Sequence, residues 1–305
     1  MGMNVVTLLP SATEVVFALG VEPVGVSHEC DFPPAAADLP AVEYSRVDSD
    51  ASTAEIDRQV QEAEAAGGVY GIDVDLLDEL DPDLVVTQGV CDVCAVDEVL
   101  VHDAVERIDA NPEVLTTDPH SVGDVFDDIR HVGAALDREA AAADLVASLE
   151  ERVATVLERS ADCERRRVAV LDWTDPVMVA GHWVPELVAA ANCEYGMADV
   201  RDPSTPREWV DLCEYDPEAL VVAPCGYDLA QTRANLSDLT DRPGWEELTA
   251  VENGDVWAID GNHYLNRPGP RVVDSLEHLA GVLHGEFETP DRQVAAPLSE
   301  LAAAR

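Results

Sequence analysis

Short runs rich in valine and leucine alternate along the chain with stretches whose apolar positions recur every three or four residues, the pattern of buried parallel strands between amphipathic helices. The runs are Asn4 to Leu9, Val24 to Ser27, Leu84 to Val86, Val114 to Thr116, Val168 to Asp172, Ala219 to Val222 and Val256 to Ile259. Helices are predicted over 53–66, 73–80, 96–108, 122–136, 206–215 and 229–239, with a final one ending at His284. Ser11 with Glu14 reads as a capping box that starts a first helix, which stops at Gly20. Residues 35–52 read as loop. The longest periodic stretch runs from Arg138 to Ser160, where Leu145, Leu149, Val153 and Val156 share one face. At about 1.5 Å per residue it spans roughly 35 Å, more than a crossover inside a small α/β unit needs.

Alone, that helix could be a strut between two lobes or a long surface helix of one domain. An echo on its two sides favours the strut. Leu80-Asp81-Pro82-Asp83-Leu84-Val85-Val86 leads to Cys91, and Tyr215-Asp216-Pro217-Glu218-Ala219-Leu220-Val221-Val222 leads to Cys225. Each is a helix end stopped by Asp-Pro, a buried strand and a loop with cysteine. The expected fold is α/β, two Rossmann-like lobes joined by one long interlobe helix. The boundaries are 1–137, the helix 138–163, 164–284, and a frayed extension 285–305. Ligands of open α/β sheets bind beyond the carboxyl ends of strands, so an interlobe cleft is the expected site.

Charge narrows the partners. The 305 residues carry 62 acidic side chains against 18 basic ones, all arginine, for a net charge of −44. Such a chain repels nucleic acid and anionic membrane surfaces, which excludes both as partners. The excess is spread along the whole sequence, which argues for a solvated surface in a high-salt cell. A specific cation-binding face is the sharper alternative. The amino terminus shows no signal peptide or lipid-attachment motif and no run is long enough to insert in a membrane, so the expectation is a cytoplasmic protein. Seven cysteines, an odd number, fit a reducing compartment.

Cys91 and Cys94 have the spacing that lets two thiolates share one metal ion or pair with each other. Cys30 and Cys225 stand at other strand ends, with His28, His182 and His263 in comparable loops. Cys30, Cys91, Cys94, Cys225 and His182 form a candidate metal set suited to zinc or an iron–sulfur cluster. The opposing reading is that free cysteines are small buried hydrophobes and loop histidines are structural hydrogen-bonders. Cys163, Cys193 and Cys213 read as packing residues. Trp173, Trp183, Tyr227 and Tyr264 could clamp a flat ligand, with Arg267 or Arg271 on its polar edge. Trp183 and Trp245 are equally readable as core anchors. Neither a phosphate loop, a Gly-x-Ser-x-Gly elbow nor a His-Glu-x-x-His is present, and no nucleophile, base and orienter can be recognised together. A non-catalytic binding protein is therefore favoured over an enzyme that uses Cys91 and Cys94 as a redox pair or a metal-held water as nucleophile.

Leu8-Leu9-Pro10-Ser11-Ala12-Thr13-Glu14, the run from Gly25-Val26-Ser27 to Asp31-Phe32-Pro33-Pro34, Asp81-Pro82-Asp83-Leu84-Val85 and Arg267-Pro268-Gly269-Pro270-Arg271 have a family look. With the long helix, they resemble the cobalamin-binding branch of the helical-backbone substrate-binding proteins, which also includes siderophore and haem binders. The resemblance implies two α/β lobes, little hinge motion, and a cobalamin or other corrinoid held as small-molecule ligand. It also implies delivery to an ABC importer through Asp75 and Glu208, one acidic residue per lobe. His28, Glu29, Cys30, Gln88, His182, Trp183, Tyr227, His263, Tyr264 and Arg267 are the candidate ligand contacts. Glu29 and Gln88 stand where that family carries aromatic clamps.

Overall fold

The structure, a computed structural model, describes residues 2–49, 51–65, 68–90, 96 and 98–303. Its strands are β1 (Val5–Thr7), β2 (Glu43–Ser45), β3 (Tyr70–Ile72), β4 (Leu84–Gln88), β5 (Glu113–Thr117), β6 (Val168–Thr174), β7 (Val177–Val179), β8 (Thr205–Pro206), β9 (Ala219–Val222), β10 (Val256–Ile259) and β11 (Ala295–Pro297). The helices are α1 (Pro10–Ala18), α2 (Thr53–Ala65), α3 (Val74–Glu79), α4 (Glu98–Val105), α5 (Val122–Ala135), α6 (Glu139–Ser160), α7 (Val184–Ala190), α8 (Trp209–Tyr215), α9 (Leu229–Ala234), α10 (Ser237–Thr240), α11 (Thr249–Glu252), α12 (Val272–Leu283) and α13 (Leu298–Ala303). None of the described helices is long and apolar enough to cross a membrane.

The fold is α/β with two compact units. One comprises Met1–Pro119 and Gly123–Ser148, the other His120–Val122 and Leu149–Arg305, so the division falls inside α6. The apolar stripe expected on α6 is realised, with Leu149 and Val156 buried in line with Ala142 and Val146.

In the first unit, β1, β4 and β5 form a parallel sheet in which Val6 faces Val85 and Val85 faces Val114. Val5, Val6, Leu84, Val85 and Val86 are buried, because the strands of a parallel sheet are covered on both faces. The expected strand at 24–27 is reduced to single bridges from Gly25 to Val6 and Val26 to Ala41. The stretch 35–52, read as loop, instead contains β2, which pairs antiparallel with β3. The capping box expected at Ser11 and Glu14 does not form. Pro10 occupies the first turn and Leu9 is the N-cap, since the fixed φ of proline is already helical there, leaving Ser11 inside the helix. A capping box does form further on, between Asp228 and Gln231 at the start of α9.

The second unit carries a six-stranded sheet in the order β11-β10-β9-β6-β7-β8, in which β10, β9 and β6 run parallel. The two echoing strands β4 and β9 thus belong to separate sheets. Ala169 and Leu171 of β6, Leu220 and Val222 of β9, and Val256 and Ala258 of β10 alternate onto one face, where Leu212, Leu239, Trp245 and Leu248 pack on them. Where a frayed extension was expected from 285 on, the described residues 285–303 carry regular structure. Within them β11 pairs antiparallel with β10, Ile259 opposite Ala295, and Ala295, Ala296 and Leu298 are buried. An otherwise open sheet edge is thereby covered and its backbone groups are paired. The helix expected over 206–215 begins only at Trp209, because Thr205–Pro206 is the outermost strand, a position where proline needs no donor.

Candidate functional site

Three parallel strands of the second unit, β6, β9 and β10, end side by side, and the loops after them are stitched together by backbone and amide bonds. The Cys225 amide donates to the Asp172 carbonyl at 2.9 Å, and the amides of Gly261 and Asn262 both donate to the Tyr227 carbonyl at 3.0 Å. Asn266 Nδ2 bridges the carbonyls of Ala223 and Gly261 at 2.9 and 3.0 Å. Glycine at 261 is required by space: a Cβ there would lie 2.2 Å from the Pro224 carbonyl oxygen.

Aromatic side chains line this rim. Trp173, half-buried at the end of β6, is backed by Tyr227, with ring centroids 5.1 Å apart and planes at 56°. Tyr227 is itself buried, its hydroxyl without a hydrogen-bond partner, and burial pushes that hydroxyl up to about 12. Trp183 is also buried and donates from Nε1 to the Leu265 carbonyl at 2.9 Å, so it anchors the rim from below. Tyr264 remains half-exposed, with its ring edge-on to His278 at 4.8 Å and the Arg271 guanidinium 5.6 Å away over the ring. Arg267 is buried and donates to Asn262 Oδ1 at 3.3 Å.

His263 is held by Asp260, whose buried carboxylate accepts from the His263 amide at 2.8 Å and from Nδ1 at 2.7 Å. A carboxylate can only accept, so Nδ1 carries a proton. His182 has a left-handed backbone (φ 52°), pinned by its amide to the Asp202 carbonyl at 2.6 Å. Its ring stacks on Trp183 at 5.7 Å, and its Nδ1 lies 3.1 Å from Nδ1 of His120. Sequence reading missed both His120 and Asp260, since only proximity in space gives them a role.

Asp172, beside Trp173 on β6, is pushed up to about 6 by burial against a partial counter-effect from the Ser204 hydroxyl, and its Oδ1 has no partner. The folded protein therefore binds this proton more tightly than the unfolded chain. Stability falls as pH rises through the carboxylate range to about 6, and the loss persists at neutral pH. Asp172→Asn is expected to melt above the wild type near pH 7.5, by about 1 to 3 kcal/mol at roughly 1.4 kcal/mol per pKa unit, with the gap closing below about pH 4. Thermal unfolding at both pH values checks this; a constant gap would overturn it.

In the first unit, His28 and Glu29 are the more accessible candidates and Cys30 and Gln88 are buried. His28 Nδ1 lies 2.7 Å from Oε1 of the buried Glu43, which also accepts from Ser27 Oγ and from the His28 amide. Burial lowers the His28 pKa, but the Glu43 bond and charge outweigh it and raise it overall. Cys30 Sγ sits 3.0 Å from Thr13 Oγ1, a packing thiol under the loop.

The expected metal set is corrected accordingly. Cys91 and Cys94 lie outside the described residues. Among the described residues, Cys30, Cys225 and His182 do not join any group of three metal-competent donors, because chain order at strand ends does not bring their donor atoms within reach of one ion. A zinc or iron–sulfur centre on that set is not supported. Asp75, in the first turn of α3, and Glu208, the N-cap residue of α8, are both exposed.

The family model described as "Periplasmic binding protein" matches residues 5–262. The Bacillus subtilis uncharacterized ABC transporter substrate-binding lipoprotein YvrC is 24% identical over 292 residues, 91% of this chain and 78% of that protein. A Halobacterium salinarum cobalamin-binding protein is 25% identical over 168 residues, 54% of this chain and 45% of that protein. The crystal structure of the periplasmic vitamin B12 binding protein BtuF of Vibrio cholerae matches with a TM-score of 0.67 at 19% identity, covering 93% of this chain and 97% of that one. At that identity the likeness speaks for the fold alone. These findings overturn the expected cytoplasmic location, since the family is one of periplasmic binding proteins and YvrC is a lipoprotein. The expectation rested on what the first residues lack, and an absence of that kind locates nothing. With one family model running from β1 to the loop after β10, this chain belongs to the periplasmic binding protein family.

Proposed function

We propose that this protein is an extracytoplasmic ligand-binding component of an ABC importer and that its ligand is a corrinoid, held at the rim formed by the loops after β6, β9 and β10. The observation that carries the reading is Trp173, half-buried and backed by the buried Tyr227 on that rim, an aromatic face suited to a flat macrocycle. Charge separates the candidate macrocycles. Against 62 acidic residues, Arg267 and Arg271 are the buried cations of the rim region, and a corrin edge of neutral amides is repelled less than the carboxylates of haem or the anionic groups of many siderophores. The cobalamin-binding relative from Halobacterium salinarum points the same way. His263, its Nδ1 held by Asp260, is the imidazole proposed to meet a metal-bearing ligand. Asp75 and Glu208 are the proposed importer contacts.

The test is titration of the purified protein in molar salt with cyanocobalamin and, separately, haemin, followed by tryptophan quenching and absorption. Saturable one-to-one corrinoid binding is expected, weakened about tenfold or more by Trp173→Ala, the equivalent of about 1.4 kcal/mol. Binding of haemin but not cobalamin, or of neither, would reject the corrinoid assignment.

A further inference from the structure

Away from the rim, four side chains of metal-ligating type converge from three chain segments of the second unit. Cys163 follows α6, Cys193 follows α7, His284 caps the end of α12, and Glu286 lies two residues beyond it. A ring nitrogen of His284, Cys163 Sγ and a carboxylate oxygen of Glu286 all lie within 4.8 Å of one another. Cys163 Sγ is 3.7 Å from Glu286 Oε2, and Cys193 Sγ is 3.6 Å from His284 Nε2. Ligand bonds of about 2.0 to 2.3 Å in a tetrahedron put neighbouring donors about 3.6 Å apart, so the Cys163–Glu286 contact matches an edge of such a site.

The surrounding backbone is already fixed. The Cys163 amide donates to the Ser160 carbonyl at 2.9 Å, and Asn192 Nδ2 donates to the Cys163 carbonyl at 3.0 Å. Arg159 Nη2 donates to the Glu286 carbonyl at 3.0 Å while its guanidinium lies over Phe287, 4.2 Å from the centroid. His284 Nε2 is 2.6 Å from the Ala191 carbonyl oxygen. A backbone carbonyl on one imidazole nitrogen is a common support for a histidine that ligates through the other. Glu286 is exposed, which leaves an entry path.

We propose that Cys163, His284 and Glu286 form a site for one divalent ion of the zinc class, separate from the ligand rim. Ligation takes Cys163 as the thiolate, so capture of the ion releases its proton to solvent and affinity rises with pH. The ion would pin the end of α6 to the end of α12, a structural role.

The test uses the full chain with Cys91→Ser and Cys94→Ser, so that this pair cannot supply thiolates, stripped by dialysis and held in molar salt to suppress loose binding to the acidic surface. Zinc is titrated against a chromophoric chelator, and cobalt(II) is added separately. One tight equivalent is expected, with a thiolate-to-cobalt charge-transfer band and an upward shift of the melting temperature. Glu286→Gln should weaken zinc by at least about tenfold, the least that loss of even an outer partner costs, and Cys163→Ser should abolish the charge-transfer band or diminish it. Zinc stoichiometry and affinity unchanged in both variants, or absence of the cobalt band in the parent, would overturn the assignment. If Cys163→Ser does not fold, exposed Glu286→Gln alone decides it: unchanged affinity rejects the site, and weakened affinity with an altered cobalt spectrum supports it.

Discussion

Leu220→Ala is expected to cost the second unit about 3 to 5 kcal/mol of stability, near the upper end for buried leucine truncations. Leu220 is fully buried on the central strand β9, opposite Ala169 of β6 on one side and Val256 of β10 on the other. Both neighbours are smaller than leucine and β-sheet pairing holds them in place, so neither can move in to fill the hole. Its layer includes Leu212, Leu239 and Leu248, which are just as tightly enclosed. Denaturant unfolding in molar salt measures the loss. A cost under about 1 kcal/mol would show that the layer collapses around the cavity, and Val99→Ala, on an exposed position of α4, should be close to neutral.

Gly261→Ala is expected to damage the rim more than any truncation of its side chains. The new Cβ would meet the carbonyl oxygens of Pro224 and Ala223 at 2.2 and 2.7 Å, and these are backbone atoms that cannot rotate away. Relief requires the loops after β9 and β10 to part, which breaks the paired bonds from Gly261 and Asn262 to the Tyr227 carbonyl and shifts the support behind Trp173. Overpacking of this kind costs about 1 to 3 kcal/mol or more. On the proposed function, corrinoid affinity should fall with it. Gly226→Ala, in the loop after β9, is the comparison: a Cβ there meets nothing within 4 Å, and only its positive φ of 75° is strained, for about 1 to 2 kcal/mol. Melting temperature and cobalamin titration of both variants check the pair; equal effects would show that crowding at Gly261 is relieved locally.

What could be read from sequence differed by kind of feature. The buried strands around Leu84 to Val86 and Leu220 to Val222, the long helix through Leu149 and Val156, and the family motifs in the first strand and helix all depend on local periodicity or neighbouring residues. They were legible. Boundary details were less so: Pro10 moved the start of α1 past the Ser11 signal, and Thr205–Pro206 joined a sheet edge that no local pattern marks. Chemistry was the least legible. Trp183 and Tyr227, read as ligand contacts, are buried and support the rim, while Trp173 is the more accessible ring.

The sequence by itself determined the α/β class and the apolar layers, because alternation and helical periodicity are written residue by residue. Only the tertiary structure decided which donors meet. Glu43 against His28, His120 against His182, and Cys163 with His284 and Glu286 are each brought together from positions far apart in the chain. A metal-ligating side chain acts over a few ångströms, and that distance is set by how strands and helices pack, not by spacing along the sequence. The same physics folded the carboxyl-terminal residues back as β11: the open edge of β10 had backbone groups to satisfy, and Ala295, Ala296 and Leu298 had apolar surface to bury.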